Sequence, residues 1–158
     1  MNDLSAYLML CEKSNFKGRI NMGPYTTAEI ISQFEKDPRC LYMTDAWVED
    51  HGVQNPAIYD CFPKFLQDAL LGRGDTIENT VCRMTGATAD RFNLRERGYI
   101  RPGYYADLTA FCEEELKEAS PNQTKSFGIK KVWINGKPVL EQDEINKTLI
   151  HGGKAIFA

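Results

Sequence analysis

Asp45 is the side chain whose placement most invites chemistry. It follows Cys40-Leu41-Tyr42-Met43-Thr44, a short apolar run that turns polar at its last residue. Such a run reads as a strand buried on both faces, with Asp45 at its C-terminal end. In open α/β sheets and in α/β barrels, that end carries the active site. A carboxylate there can bind a divalent metal, or take a proton from metal-bound water. The alternative is a capping aspartate at a strand-to-loop junction, and position alone leaves both open.

His51 lies in the polar loop from Glu49 to Gln54. A lone loop histidine is either a ligand or a solvated side chain. Glu49 and Asp50 read as surface charges. The second histidine, His151, sits in a glycine-rich tail. Two histidines so far apart do not by themselves assemble a three-ligand zinc site. The sequence holds no H-x-H, H-E-x-x-H or G-x-S-x-G, and Gly72-Arg73-Gly74 lacks the spacing of a phosphate loop. The five cysteines are odd in number, and none form C-x-x-C. That pattern points to buried thiols in a reducing cytoplasm, not to a disulfide framework.

The elements around Asp45 follow from periodicity. Leu4, Leu8 and Cys11 give a first helix that starts at Asp3 and stops near Ser14. Gly18 to Tyr25 is a candidate strand. Thr26 with Glu29 forms a capping-box signal for a helix whose apolar face is Ile30, Ile31 and Phe34. Strand, helix and the Cys40–Thr44 strand make a βαβ unit with a parallel pair. Asn55-Pro56 opens the next helix, in which Pro63 predicts a kink. Asp75, with Glu78, caps a helix that turns Ile77, Val81 and Met84 inward, and Ala87 to Asn93 is a further short helix.

Beyond Gly98 the character changes to β. Tyr104 to Cys112 is rich in β-formers, and Glu113 to Lys125 reads as a polar loop. Ile129 to Ile134 alternates as a strand. Asn135-Gly136 is a strong hairpin signal, because both residues tolerate positive φ. Asp107 reads as structural, an acceptor for neighbouring backbone donors. The tail Ala155 to Ala158 is a candidate edge strand. Residues 1–97 therefore form an α/β part and residues 98–158 a small β part.

Composition excludes some functions. Hydrophobic residues make up 42% and charged residues 26%, which suits a folded soluble chain and not a disordered one. A net charge of −3 with no basic cluster argues against nucleic acid. No stretch is long and apolar enough to span a bilayer, and the first residues lack the pattern of a signal peptide.

Three stretches together resemble the C-terminal end of the amidohydrolase superfamily. Met84-Thr85-Gly86-Ala87-Thr88-Ala89 is similar to its M-T-x-x-P/T-A helix. Gly98-Tyr99-Ile100-Arg101-Pro102-Gly103-Tyr104-Tyr105-Ala106-Asp107-Leu108 is similar to G-x-(I/L)-x-x-G-x-x-A-D-(L/I). Lys131-Val132-Trp133-Ile134-Asn135-Gly136 supplies the hairpin ending in N-G. Thr44-Asp45 and Phe62-Pro63-Lys64-Phe65-Leu66 bring the resemblance nearest to the N-acyl-D-amino-acid deacylases, or D-aminoacylases.

That resemblance implies the last α/β units of a (β/α)8 metal-dependent hydrolase barrel, then a small β-sandwich segment. It implies zinc in the complete enzyme and an N-acyl amino acid as substrate. Asp45 takes the place of the last barrel strand's aspartate, as general base or also as a metal ligand. His51 matches only loosely. The strands that carry the other metal ligands are absent from this sequence, so the expectation is a fragment or subunit that binds no metal alone. It would associate with the missing N-terminal barrel portion or with itself. The competing expectation is a non-catalytic binding or assembly module on the same scaffold.

Overall fold

The computed structural model describes residues 2–17, 26–48, 50, 55–120, 126–141 and 144–146. Helices dominate the first part and an antiparallel sheet the second. The helices are α1 (Asp3–Lys13), α2 (Ala28–Lys36), α3 (Ala57–Leu70), α4 (Ile77–Met84) and α5 (Gly86–Arg91). Strand β1 (Leu108–Phe111) and helix α6 (Glu113–Glu118) come next. Strands β2 (Ile129–Ile134), β3 (Lys137–Glu141) and β4 (Glu144–Ile145) complete the sheet, in the spatial order β1-β2-β3-β4.

Three of the helices start at a side-chain cap. The Asn2 side chain accepts from the Ser5 N–H at 2.9 Å and so caps α1. Thr27, not Thr26, caps α2, accepting from the Ile30 N–H at 3.4 Å. Thr76, not Asp75, caps α4, accepting from the Asn79 N–H at 3.2 Å. The Asp75 carboxylate has other donors: the Thr76 N–H at 2.7 Å, the Asn79 amide at 3.1 Å and Arg83 at 3.2 Å. An aspartate engaged by a guanidinium leaves the capping position to its neighbour.

Helix α3 runs unbroken through Pro63, where the sequence predicts a kink. Proline lacks the N–H that would donate to the carbonyl four residues back. That carbonyl belongs to Tyr59, and it accepts the Ser126 hydroxyl at 2.7 Å instead. With the acceptor satisfied from outside, the helix has less cause to break there.

Helix α6 occupies the start of the stretch expected to be a loop. Three glutamates in its first turn complement the positive helix N-terminus. Its Leu116 is fully buried. Leu66, Leu116 and Phe127 form the core cluster, with Leu70, Ile77, Val81, Met84 and Phe111 packed around it. The Gln67 amide donates to the Leu116 and Ala119 carbonyls, at 2.7 and 2.8 Å, and so satisfies acceptors at the end of α6. Gly128 lies against this leucine with φ +67°, and a Cβ there would meet Leu116 Cγ at 2.6 Å.

The β2–β3 hairpin forms as the sequence predicts. Asn135 (φ 51°) and Gly136 (φ 76°) make the turn. Val132 pairs with Leu140 and Ile134 with Lys137. Asp107 plays its expected structural part: its Oδ1 accepts the Asn135 N–H at 2.8 Å, and its Oδ2 pairs with Arg97.

The main departure concerns Cys40–Thr44, which forms no strand. A buried parallel strand needs a ladder neighbour on each edge. Among the described residues none pairs with this segment. The expected strands over Gly18–Tyr25 and Ala155–Ala158 lie outside the described residues. The apolar faces of the first two helices are largely uncovered: Leu4 is 65% exposed, Phe34 60%, and Met43 beyond them 67%.

Candidate active-site segment

Cys40 to Val48 runs as irregular chain from the end of α2 towards the start of α3. Several groups hold it where a ladder would. Tyr42 stacks on Phe65 of α3, with ring centroids 4.5 Å apart and planes tilted by 47°. Burial pushes the Tyr42 phenol above its ordinary range. The Cys61 thiol donates to the Met43 carbonyl at 3.4 Å. Burial, and then the neighbouring Asp60 charge, push that thiol's pKa up as well.

A residue that sequence reasoning missed organises the segment. Arg83 of α4 is buried, 4% exposed. Its Nη1 donates to the Asp37 carbonyl at 2.8 Å and the Cys40 carbonyl at 3.4 Å. Its Nη2 donates to the Glu35 carbonyl, to the Tyr42 hydroxyl at 3.0 Å and to Asp75 at 3.2 Å. The guanidinium carbon stands 4.9 Å from the Tyr42 ring centroid, a cation–π contact. Little in the sequence signals it, since most of its acceptors are backbone carbonyls of distant residues.

Asp45 follows Thr44 with φ 45°, in the left-handed region. Aspartate adopts it more readily than most residues, at a cost of roughly 1 kcal/mol. The side chain is exposed. The Ala46 N–H donates to Thr44 Oγ1 at 3.4 Å, so the hydroxyl beside Asp45, not its carboxylate, takes that donor. Thr44 also lines an apolar cleft of about 540 Å³ between α3, α4 and the sheet, whose walls include Phe62, Met84, Tyr99 and Val132.

The candidate metal ligands do not converge. Among the described residues no group of three or more His, Cys, Asp or Glu side chains could hold a metal ion. Asp45 therefore stands as a single carboxylate, and His51 and His151 lie outside the described residues. A metal cage does not fit the described side chains. No described helix is long and apolar enough to cross a membrane.

No family model matches the chain. Individual proteins do match. A D-aminoacylase of Alcaligenes xylosoxydans xylosoxydans is 31% identical over 106 residues, which is 65% of this chain and 22% of that protein. A solved D-aminoacylase structure superposes with a TM-score of 0.51 at 35% identity, over 60% of this chain and 21% of the other. D-aminoacylases, members of the amidohydrolase superfamily, are thus among the chain's homologues in both sequence and structure. An N-acyl-D-aspartate deacylase of the same organism is 38% identical over 68 residues, covering 40% of this chain and 14% of that protein. An adenine deaminase of Oceanobacillus iheyensis is 33% identical over 110 residues, covering 70% and 16%. That solved D-aminoacylase has a binuclear metal centre. The resemblance read from the sequence is thus borne out, and the chain spans about a fifth of the D-aminoacylases it matches.

Proposed function

We propose that this chain is the C-terminal part of a metal-dependent amidohydrolase that cleaves the amide bond of N-acyl D-amino acids. Residues 1–97 are then the end of the barrel and residues 98–158 a segment of the small β-sandwich. The observation that carries the reading is the pair of deacylase relatives, both acting on acylated D-amino acids by their names. Asp45 is the catalytic carboxylate of this part, accepting the proton of the attacking water once the remaining machinery surrounds it.

The exposed apolar surface supports a need for further polypeptide. Leu4 and Leu8 of α1, Ile31 and Phe34 of α2, and Met43 and Val48 beyond them all face solvent. Apolar surface on this scale marks an interface that another chain segment covers. The partner is the N-terminal barrel portion or, without it, a second copy. Zinc belongs to the complete enzyme and not to this chain alone. A second reading, a non-catalytic assembly module, is favoured by one observation: the described residues hold no metal-ligand group.

The test measures bound zinc and hydrolysis of N-acetyl-D-amino acids. The chain is assayed alone and together with the N-terminal portion of a D-aminoacylase. The expected result is no zinc and no turnover alone, with both appearing in the mixture. Assembly without turnover would favour the second reading. Stoichiometric zinc on the chain alone would overturn the proposed incompleteness.

A further inference from the structure

The geometry points to Arg83 as a positioning residue that fixes the segment ending in Asp45, an inference that rests on reading Asp45 as the catalytic carboxylate. Three backbone carbonyls, those of Glu35, Asp37 and Cys40, converge on this one guanidinium. The first lies within α2 and the second caps its end, where carbonyls lack intrahelical donors. The third belongs to the irregular segment, which has no ladder partner among the described residues to satisfy it. Tyr42 is held through both its hydroxyl and its ring face. Asp45 comes three residues after that anchor, and Cys61 holds the Met43 carbonyl in between.

Only arginine supplies this arrangement. Its planar fork sets the four N–H groups of Nη1 and Nη2 towards these acceptors, with Nε left without a partner, whereas lysine offers three donors on a compact ammonium. Asp75 balances the buried charge at 3.2 Å, itself engaged by the Thr76 N–H and the Asn79 amide. The arginine therefore needs no second role as a surface charge or an anion site. Arg83 is itself only 4% exposed, so the guanidinium is buried as well as bonded.

The test compares wild type, Arg83→Lys and Arg83→Met in the full chain assembled with the N-terminal barrel portion. Two readouts are taken. Brief chymotrypsin treatment reports local opening at Leu41 and Tyr42, set against cleavage at Tyr59 and Phe65 in α3. Steady-state hydrolysis reports kcat and KM separately.

For Arg83→Lys, cleavage after Tyr42 is expected to rise roughly tenfold while cleavage in α3 stays within about twofold. Turnover should fall about tenfold in kcat with KM little changed, and Arg83→Met should lose on the order of 100-fold. The lysine variant thus partly rescues what methionine loses. Unchanged cleavage after Tyr42 would overturn the inference. So would equal loosening of α3, or failure of Arg83→Lys to fold, because either assigns Arg83 to the whole fold. If the wild-type assembly shows no turnover, the reading of Asp45 fails and the cleavage comparison still decides the role of Arg83.

Discussion

The Ser126 hydroxyl donates to the Tyr59 carbonyl at 2.7 Å, the carbonyl that Pro63 leaves without its helical donor. The proline and the serine are thus one device, joining α3 to the chain that leads into β2. Ser126→Ala should cost about 1 kcal/mol in urea unfolding, the usual net worth of one hydrogen bond. In a Pro63→Ala background the restored N–H competes for the same carbonyl. The cost of Ser126→Ala should then shrink to less than about half, which a double-mutant cycle reads directly. Equal costs in both backgrounds would mean that the two residues act independently.

Gly128 and Leu116 are coupled by space. Leu116→Ala should destabilise by about 2–5 kcal/mol, as for other buried leucines. Gly128→Ala meets Leu116 Cγ at 2.6 Å and also forces φ +67° on a residue with a Cβ. Combining the two removes the clash with the leucine side chain and leaves the leucine loss plus a backbone cost of about 1–2 kcal/mol. Unfolding of the double variant should therefore be less destabilised than the sum of the singles. A simple sum would contradict the contact.

What the sequence made legible was local chemistry. Asn135-Gly136 dictates its own turn, the alternation of β2 survives in the structure, and Asp107 finds the backbone donor expected of it. What it hid depends on partners far along the chain. Asp75 looks like a helix cap until Arg83 claims it. Pro63 looks like a break until Ser126, 63 positions later, supplies the donor. Glu113 to Glu118 looks like a loop because its one core contact, Leu116, stands alone among charges. The Cys40–Thr44 run has the composition of a buried strand, but composition cannot provide a neighbouring strand. For the candidate site, the sequence offers Asp45 as a candidate from its place after an apolar run, and offers no sign of Arg83, because its acceptors are backbone carbonyls that carry no sequence signal.

The buried carboxyl of Glu35 gives stability a pH dependence of known sign. Burial pushes its pKa up, the nearby Asp68 charge adds to this, and Lys64, Arg83 and Arg73 pull less strongly the other way. Its Oε1 has no hydrogen-bond partner. A raised folded-state pKa means that the protonated form is favoured in the fold. That contribution is full below the unfolded value of about 4.3 and is lost as pH rises through the folded one. Glu35→Gln should therefore raise the unfolding midpoint at neutral pH and make it less sensitive to pH above the acid range. Asp75 runs the opposite way, since hydrogen bonds from Asn79 and Thr76 lower its pKa and its contribution fades as pH falls. Equal midpoints for wild type and Glu35→Gln at neutral pH would contradict the assignment.

Uncovered apolar helix faces should drive association. Light scattering across a concentration series should show the isolated chain forming oligomers. Leu8→Lys with Phe34→Lys should shift it towards monomer without lowering the unfolding midpoint by more than about 1 kcal/mol equivalent, because both side chains are exposed. A well-folded wild-type monomer at high concentration would count against the need for a covering partner.

The central claim concerns Asp45, and one substitution addresses it most directly. Asp45→Asn keeps the size of the side chain and removes its basicity. In the chain assembled with the N-terminal barrel portion, kcat for N-acetyl-D-amino acid hydrolysis should fall by roughly 100-fold or more, the range expected for loss of a general base. The unfolding midpoint should stay unchanged, since the side chain is exposed. Unchanged turnover in Asp45→Asn would contradict the claim and reduce Asp45 to a residue of the chain's turn.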